Sequence, residues 1–264
     1  MSRSFTSTVI QNAQAVVVTI LMIGLWEGAC RLFNVPTWLL PPPSRVFTEG
    51  YEILPILPKH LAATLAAVLG GFALSIVVGI PLAVIIVHSP PLRRIIYPLI
   101  LMLQSVPKVA IAPILLLWVG YGLKSGIVVA ATVAFFPIVI STAAGLQSID
   151  KELLELTRSL DAGSLKVFWK VRMPWAMPHI FSGLKVAITL AVIGAIVAEF
   201  IGADTGLGYL ILANSGAMKT SAVFFVLLIL SLLGIALFYA VEAVERAVCP
   251  WYANDEAKAE TLPS

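Results

Sequence analysis

Apolar residues in this chain gather into six long stretches, near 13–33, 61–87, 95–119, 127–146, 180–203 and 222–246. Short polar or proline-bearing segments separate them. About 20 apolar residues cross the hydrocarbon core of a bilayer as a helix, so each stretch predicts one span. The third is the least regular, because Pro98, Pro107 and Pro113 interrupt it. Each proline removes a backbone donor, and neighbouring helices must cover the freed carbonyls. The stretch is therefore expected either to pack among other spans, lining a pathway, or to be a kinked helix.

A polar, charge-mixed segment at 147–174 interrupts this apolar pattern. Leu153, Leu154, Leu156 and Leu160 recur at helical spacing among Glu152, Glu155 and Arg158. Asp150 is a candidate cap, and acids suit the first turn. A break is expected at Asp161-Ala162-Gly163. Ser164 then caps a second short helix, with Val167, Phe168 and Val171 on one face and Lys166, Lys170 and Arg172 near its end. Pro174 and Pro178 mark the return to the membrane. The pattern gives two short amphipathic helices at a bend.

Composition agrees with a polytopic membrane protein. Of 264 residues 59% are hydrophobic and 12% charged, about half the charge of a soluble domain. The net charge of +3 reflects orientation rather than nucleic-acid binding. With an inside N-terminus, Arg3, Arg93, Arg94, Lys151, Arg158, Lys166, Lys170 and Arg172 fall in inner segments. Arg45, Lys59, Lys124 and Lys219 fall in outer ones, eight against four. Both termini and the polar segment are thus expected on the cytoplasmic side. Residues 1–12 read as a cytoplasmic N-terminal tail, 13–250 as the membrane domain and 251–264 as a disordered cytoplasmic tail. The first span is expected to be retained: Glu27 spoils the WEGAC context of Cys30 as a lipoprotein site, and no small-x-small cleavage signal follows. Cys30 and Cys249 fall at opposite faces, and no metal or redox spacing occurs.

Two outer segments carry motifs. LLPPPSRVF, around Pro41 to Pro43, is stiff and extended. Ser44 is a candidate cap for a short helix after it. GADTGLGYLI places Gly202, Gly206 and Gly208 in a tight or re-entrant turn. Tyr209 and Leu210 stand where a phosphate loop needs Lys and Ser or Thr, so nucleotide binding is excluded there.

From Glu155 to Pro174 the chain resembles the cytoplasmic loop of permease subunits of ATP-binding-cassette importers. That pattern is Glu-Ala-Ala, a spacer of three, Gly, a spacer of nine, then Ile-x-Leu-Pro, and it fits without a gap. Glu155 falls on the Glu, Leu156 and Thr157 on the alanines, and Asp161 on the glycine. Val171, Met173 and Pro174 fall on the Ile, Leu and Pro. LLPPPSRVF, VPKVAIAPILLLWVGYG and AEFIGADTGLGYLI resemble the subfamily importing sulfonates, taurine, nitrate, bicarbonate, thiamine precursors or aromatic compounds. The resemblance implies an all-α, type I importer permease fold in a bacterial cytoplasmic membrane, with a coupling-helix loop. It implies Glu152, Glu155, Thr157, Arg158, Leu160, Asp161, Ala162, Gly163, Phe168 and Pro174 as ATPase-coupling residues. It further implies an ATPase dimer, a second permease copy, an external solute-binding protein and membrane lipid as partners. ATP and Mg would lie on the ATPase and no cofactor on this chain, which is expected to be no enzyme. Leu-Thr replaces Ala-Ala, and Asp161 replaces a glycine that supplies a positive φ. Asp tolerates that conformation better than most residues, and Gly163 is the other candidate for the bend.

Polar residues at membrane depth are costly and mark pathways or helix contacts. Gln104, Ser105, Lys108 and Glu199 are the pathway candidates, and Glu27 a helix-contact candidate. Glu199 lies fourteen residues beyond Lys185, and Lys108 fourteen beyond Arg94. Straight helices put both at about 21 Å depth, where they could pair. The alternatives are an ion-coupled secondary transporter, for which no repeated halves or midplane ligand cluster is seen, and an intramembrane enzyme. Against the enzyme, His60, His88 and His179 all fall near span ends.

Overall fold

The computed structural model describes residues 2–251, and the side chains of these except residues 2–13, 15, 151 and 158. The expected tail from residue 252 onward, and the side chains of Arg3, Lys151 and Arg158, lie outside the described residues.

Every regular element described is a helix. In chain order they are α1 (Ser2–Leu32), α2 (Pro43–Gly50), a 3-10 turn (Tyr51–Ile53), α3 (Leu57–His88), α4 (Pro90–Gln104), α5 (Lys108–Val119) and α6 (Leu123–Gln147). There follow α7 (Lys151–Ser159), α8 (Ser164–Val167), a π-turn (Phe168–Arg172), α9 (Met173–Gly202), α10 (Leu207–Gly216) and α11 (Thr220–Val248). Helical backbone already begins at Ser2, within the segment expected as a tail.

Among the described residues, four runs are long and apolar enough to cross a bilayer: Leu57–His88, Leu123–Gln147, Ser164–Gly202 and Thr220–Val248. The pair α4 and α5, taken as one broken span, makes a fifth. The sequence predicts six. α1 coincides with the first expected span but is not among those that qualify. The third expected span does not merely kink: α4 and α5 meet at 97°. Proline drives its predecessor out of helical geometry and donates no N–H. At Pro107 the backbone opens to φ −63°, ψ 99°. One face of the pair is buried, through Ile100, Ala112 and Leu116, and the other is open. Met102, Leu117 and Trp118 are 68%, 76% and 78% exposed on the single chain.

The chain divides into two compact units: the part up to Pro58 with Leu210–Leu230, and Lys59–Tyr209 with the part from Ser231 onward. In the second unit α6 and α9 form the packed centre. Small residues let their backbones touch, the usual device where lipid leaves no hydrophobic drive between helices. A Cβ on Gly194 of α9 would sit 2.8 Å from Ala130 Cα of α6. Ala134 and Ile138 of α6 and Ala187, Ile188 and Ala191 of α9 are buried.

In the first unit, α2 starts at Pro43, not behind a Ser44 cap; Pro42 holds the N-cap position in extended geometry. Ser44 instead binds Glu27 of α1. The carboxylate accepts from the Ser44 N–H at 3.0 Å and from its hydroxyl at 2.8 Å, and pairs with Arg31 at 2.6 Å. Glu27 thus caps α2 from another helix, which agrees with its expected role as a helix contact.

Candidate functional site

The polar segment folds close to expectation. In α7, Glu152, Glu155, Leu156 and Ser159 are exposed, while Leu153, Leu154 and Thr157 are half-buried. The helix therefore has an inner apolar side and a free outer side. Leu156 and Leu160 are 55% and 71% exposed, more than solvated leucines at a helix end need be.

The bend after α7 belongs to Asp161. Its φ is +51°, and the next N–H, that of Ala162, reaches back to the Thr157 carbonyl at 3.1 Å. This is the six-to-one closure of a Schellman turn, whose left-handed residue is usually glycine. Gly163 does not take over the bend; at φ −57°, ψ 144° it is the extended N-cap of α8. Ser164 is consequently the first residue of α8 and provides no side-chain cap. The second short helix is not separate either. α8, the π-turn and α9 run on as one helix, Ser164–Gly202. Pro174, in the first turn of α9, gives no N–H to the carbonyl one turn back, where the backbone widens to π geometry. Phe168 is buried there, edge-on to His88 at 5.2 Å.

The membrane-depth polar residues separate into two places. Gln104, Ser105 and Lys108 gather at the break between α4 and α5. Lys108 Nζ donates to the Gln104 carbonyl and lies 4.8 Å from the Phe136 ring centre. Gln104 and Ser105 are exposed. Glu199 makes no pair with Lys108. The equal-depth count assumed a straight third span, and the 97° break removes that assumption.

Glu199 closes the start of α10 instead. Its carboxylate accepts from the Gly208 N–H at 2.7 Å and from the Thr64 hydroxyl at 2.7 Å. Thr64 in turn accepts from the Leu207 N–H at 2.8 Å, and His60 Nδ1 accepts from the Gly206 N–H at 3.1 Å. Three consecutive amides, which an apolar surrounding cannot leave unpaired, are thus satisfied by side chains of α3 and α9. The glycines make room. Gly206 has φ +117°, and a Cβ there would collide with the Glu199 carboxyl. The GADTGLG segment is accordingly a tight turn into a short helix. Sequence reasoning missed Thr64 and His60 as partners, and it missed the Lys185–Glu245 ion pair of 2.7 Å between α9 and α11.

Residues 71–249 match the family of binding-protein-dependent transport system inner membrane components. The chain belongs to this family. The permease is 35% identical to the formylaminopyrimidine transport permease protein ThiX of Halalkalibacterium halodurans, over 95% of this chain and 98% of that one. It is 33% identical to the riboflavin transport system permease protein RibX of Chloroflexus aurantiacus, over 90% of each chain. It is 27% identical to the taurine transport system permease protein TauC of Escherichia coli, over 88% and 86%. Among solved structures it resembles an inward-facing MetNI methionine ABC transporter, with TM-score 0.64 and 23% identity over 75% of the permease and 98% of that chain. That likeness shows the fold, an all-α type I importer permease. Family membership displaces the secondary-transporter alternative.

Proposed function

We propose that the permease passes a small polar organic solute inward, driven by a partner ATPase that docks on the free side of α7. What carries this reading is the outer side of α7, where Glu152, Glu155, Leu156 and Leu160 are exposed beside the Asp161 turn. Thr157 and Ala162 shape the inner side of the turn, and Phe168 and Pro174 anchor it to α9. Arg158, Gly163 and the rest of 147–174 complete the coupling segment. The loop and both termini face the cytoplasm, and residues 13–250 form the membrane domain.

Two copies of the chain form the pathway, with lipid around them. The exposed α4–α5 pair supports this reading, since Gln104 and Ser105 at membrane depth suit a second copy or water better than lipid. Lys108 lines the same pathway, and Glu199 holds α10 at its rim. ATP closes the ATPases, which draws the coupling segments together and opens the cavity outward; hydrolysis returns it inward. An external binding protein delivers the solute. Identity to ThiX over nearly the whole chain favours a pyrimidine of the formylaminopyrimidine kind over a sulfonate such as taurine.

Co-purification in mild detergent tests the coupling. An ABC ATPase is expected to travel with the chain, and Glu155→Lys to abolish uptake while insertion is kept; unchanged uptake in that variant defeats the reading. The substrate is tested by isolating the companion binding protein and comparing its affinity for formylaminopyrimidine, taurine and nitrate.

A further inference from the structure

A concavity of about 360 Å³ lies between the end of α3 and the polar loop. His88, Leu154, Thr157, Ser164, Val167 and Arg172 line it. Arg172 is half-buried and has no hydrogen-bond or ion-pair partner among the described residues. A half-buried guanidinium with unused donors is suited to holding an anion. His88 helps. Its Nδ1–H donates to the Val84 carbonyl at 3.0 Å, which fixes the ring and leaves Nε2 as its remaining polar atom. The Ser164 hydroxyl, at the head of α8, also has no hydrogen-bond partner among the described residues. The neighbouring concavity carries Lys166, Lys170 and Asp161, which adds one net positive charge.

The position is specific. The site sits where the apolar run of α3 ends and where Ser164–Gly202 begins, the depth of lipid phosphates. The inner side of α7, through Leu154 and Thr157, forms one wall. The free side proposed for the ATPase faces away from it.

We propose that this pocket binds a phosphate group, held by Arg172 with His88 and Ser164, and so props α7 from beneath. The geometry stands without the coupling role; only the consequence for coupling rests on the function proposed above. A phosphate can come from an anionic lipid headgroup or from free phosphate.

The full-length chain in neutral detergent is titrated with phosphatidylglycerol, phosphatidylcholine and inorganic phosphate at constant ionic strength, and unfolding temperature is followed. Phosphatidylglycerol or phosphate is expected to raise it, and phosphatidylcholine to leave it unchanged. Response to the lipid alone identifies a headgroup; equal response to phosphate identifies the free anion. Arg172→Gln is expected to weaken binding about tenfold, the effect of losing a charge-assisted bond. Arg172→Lys keeps most of it and Ser164→Ala loses a few-fold, so the site is tested even where one variant folds poorly. No response in the wild type, or an equal response in Arg172→Gln, overturns the proposal. So does protection seen only with ATPase present, because a carboxylate of that protein then fills the pocket. Since nothing is transported in this assay, a failure of ATPase co-purification leaves its outcome readable.

Discussion

The Glu199 carboxylate accepts a hydrogen bond from the Gly208 N–H at 2.7 Å, and the two residues are so close that a Cβ on Gly208 would lie 2.9 Å from the Cβ of Glu199. Both are buried. The bond and the close approach are one device: the glycine lets α10 come near enough for the acid to cap it.

Breaking either half should therefore loosen the same helix. Glu199→Ala strands the Gly208 N–H and the Thr64 hydroxyl, at about 1–3 kcal/mol for each buried group left unpaired. Gly208→Ala keeps the carboxylate but pushes it away, and is expected to lower the unfolding temperature as well. Gly216→Ala, with nothing within 4 Å of the added methyl, serves as the neutral comparison. Thermal unfolding in detergent and protease cleavage within α10 report the result. If Gly208→Ala matches Gly216→Ala, the close approach is not needed.

Asp161 holds φ +51°, a conformation that costs most residues about 1–2 kcal/mol and glycine nothing. Asp161→Gly should keep uptake and slightly stabilise the turn. Asp161→Val should destabilise it by about 1–2 kcal/mol and lower ATP-driven uptake without reducing the amount in the membrane. The comparison of uptake per inserted molecule checks both. Equal uptake in Asp161→Val means that the left-handed turn does not matter for coupling.

Much of this fold can be read from the sequence, for reasons that are local. α3, α6 and α11 follow runs of apolar residues long enough to span, and their ends fall within a few residues of the expected ones. α7 and its break follow from leucine periodicity and the Asp161-Ala162-Gly163 signal. What failed depends on long-range geometry. Three prolines announced trouble in the third span, but not a 97° turn. Glu199 was matched to Lys108 by a straight-helix depth count, and that count breaks with the helix. A better signal was present: a helix beginning at Leu207 inside an apolar chain leaves its first amides needing acceptors, and Glu199, Thr64 and His60 are polar groups within α9 and α3.

The Lys185–Glu245 pair ties α9 to α11 with little exposure. Lys185→Met leaves Glu245 buried without its partner, and about 3–5 kcal/mol should be lost. The double variant Lys185→Met with Glu245→Leu removes both charges and should recover much of that loss. Unfolding temperatures of the two singles and the double form the cycle. A double variant as unstable as the worse single argues for a role beyond pairing.

Cys249 follows α11, buried and just beyond Glu245. Burial, and then the Glu245 charge, push its thiol pKa up. The sign follows from the thiolate being the disfavoured form: at any given pH less of it is present than for an ordinary cysteine, and the thiolate is the reactive species. Alkylation at Cys249 should therefore be slow at neutral pH, and its rise in rate should come at higher pH than for a free thiol. Mass spectrometry of the C-terminal peptide after timed maleimide exposure across a pH series measures this. Unfolding the chain should bring the profile back to that of a free thiol, since both causes of the shift belong to the folded state. A folded-state profile that already matches the free thiol would mean that Cys249 is open to water and unaffected by Glu245.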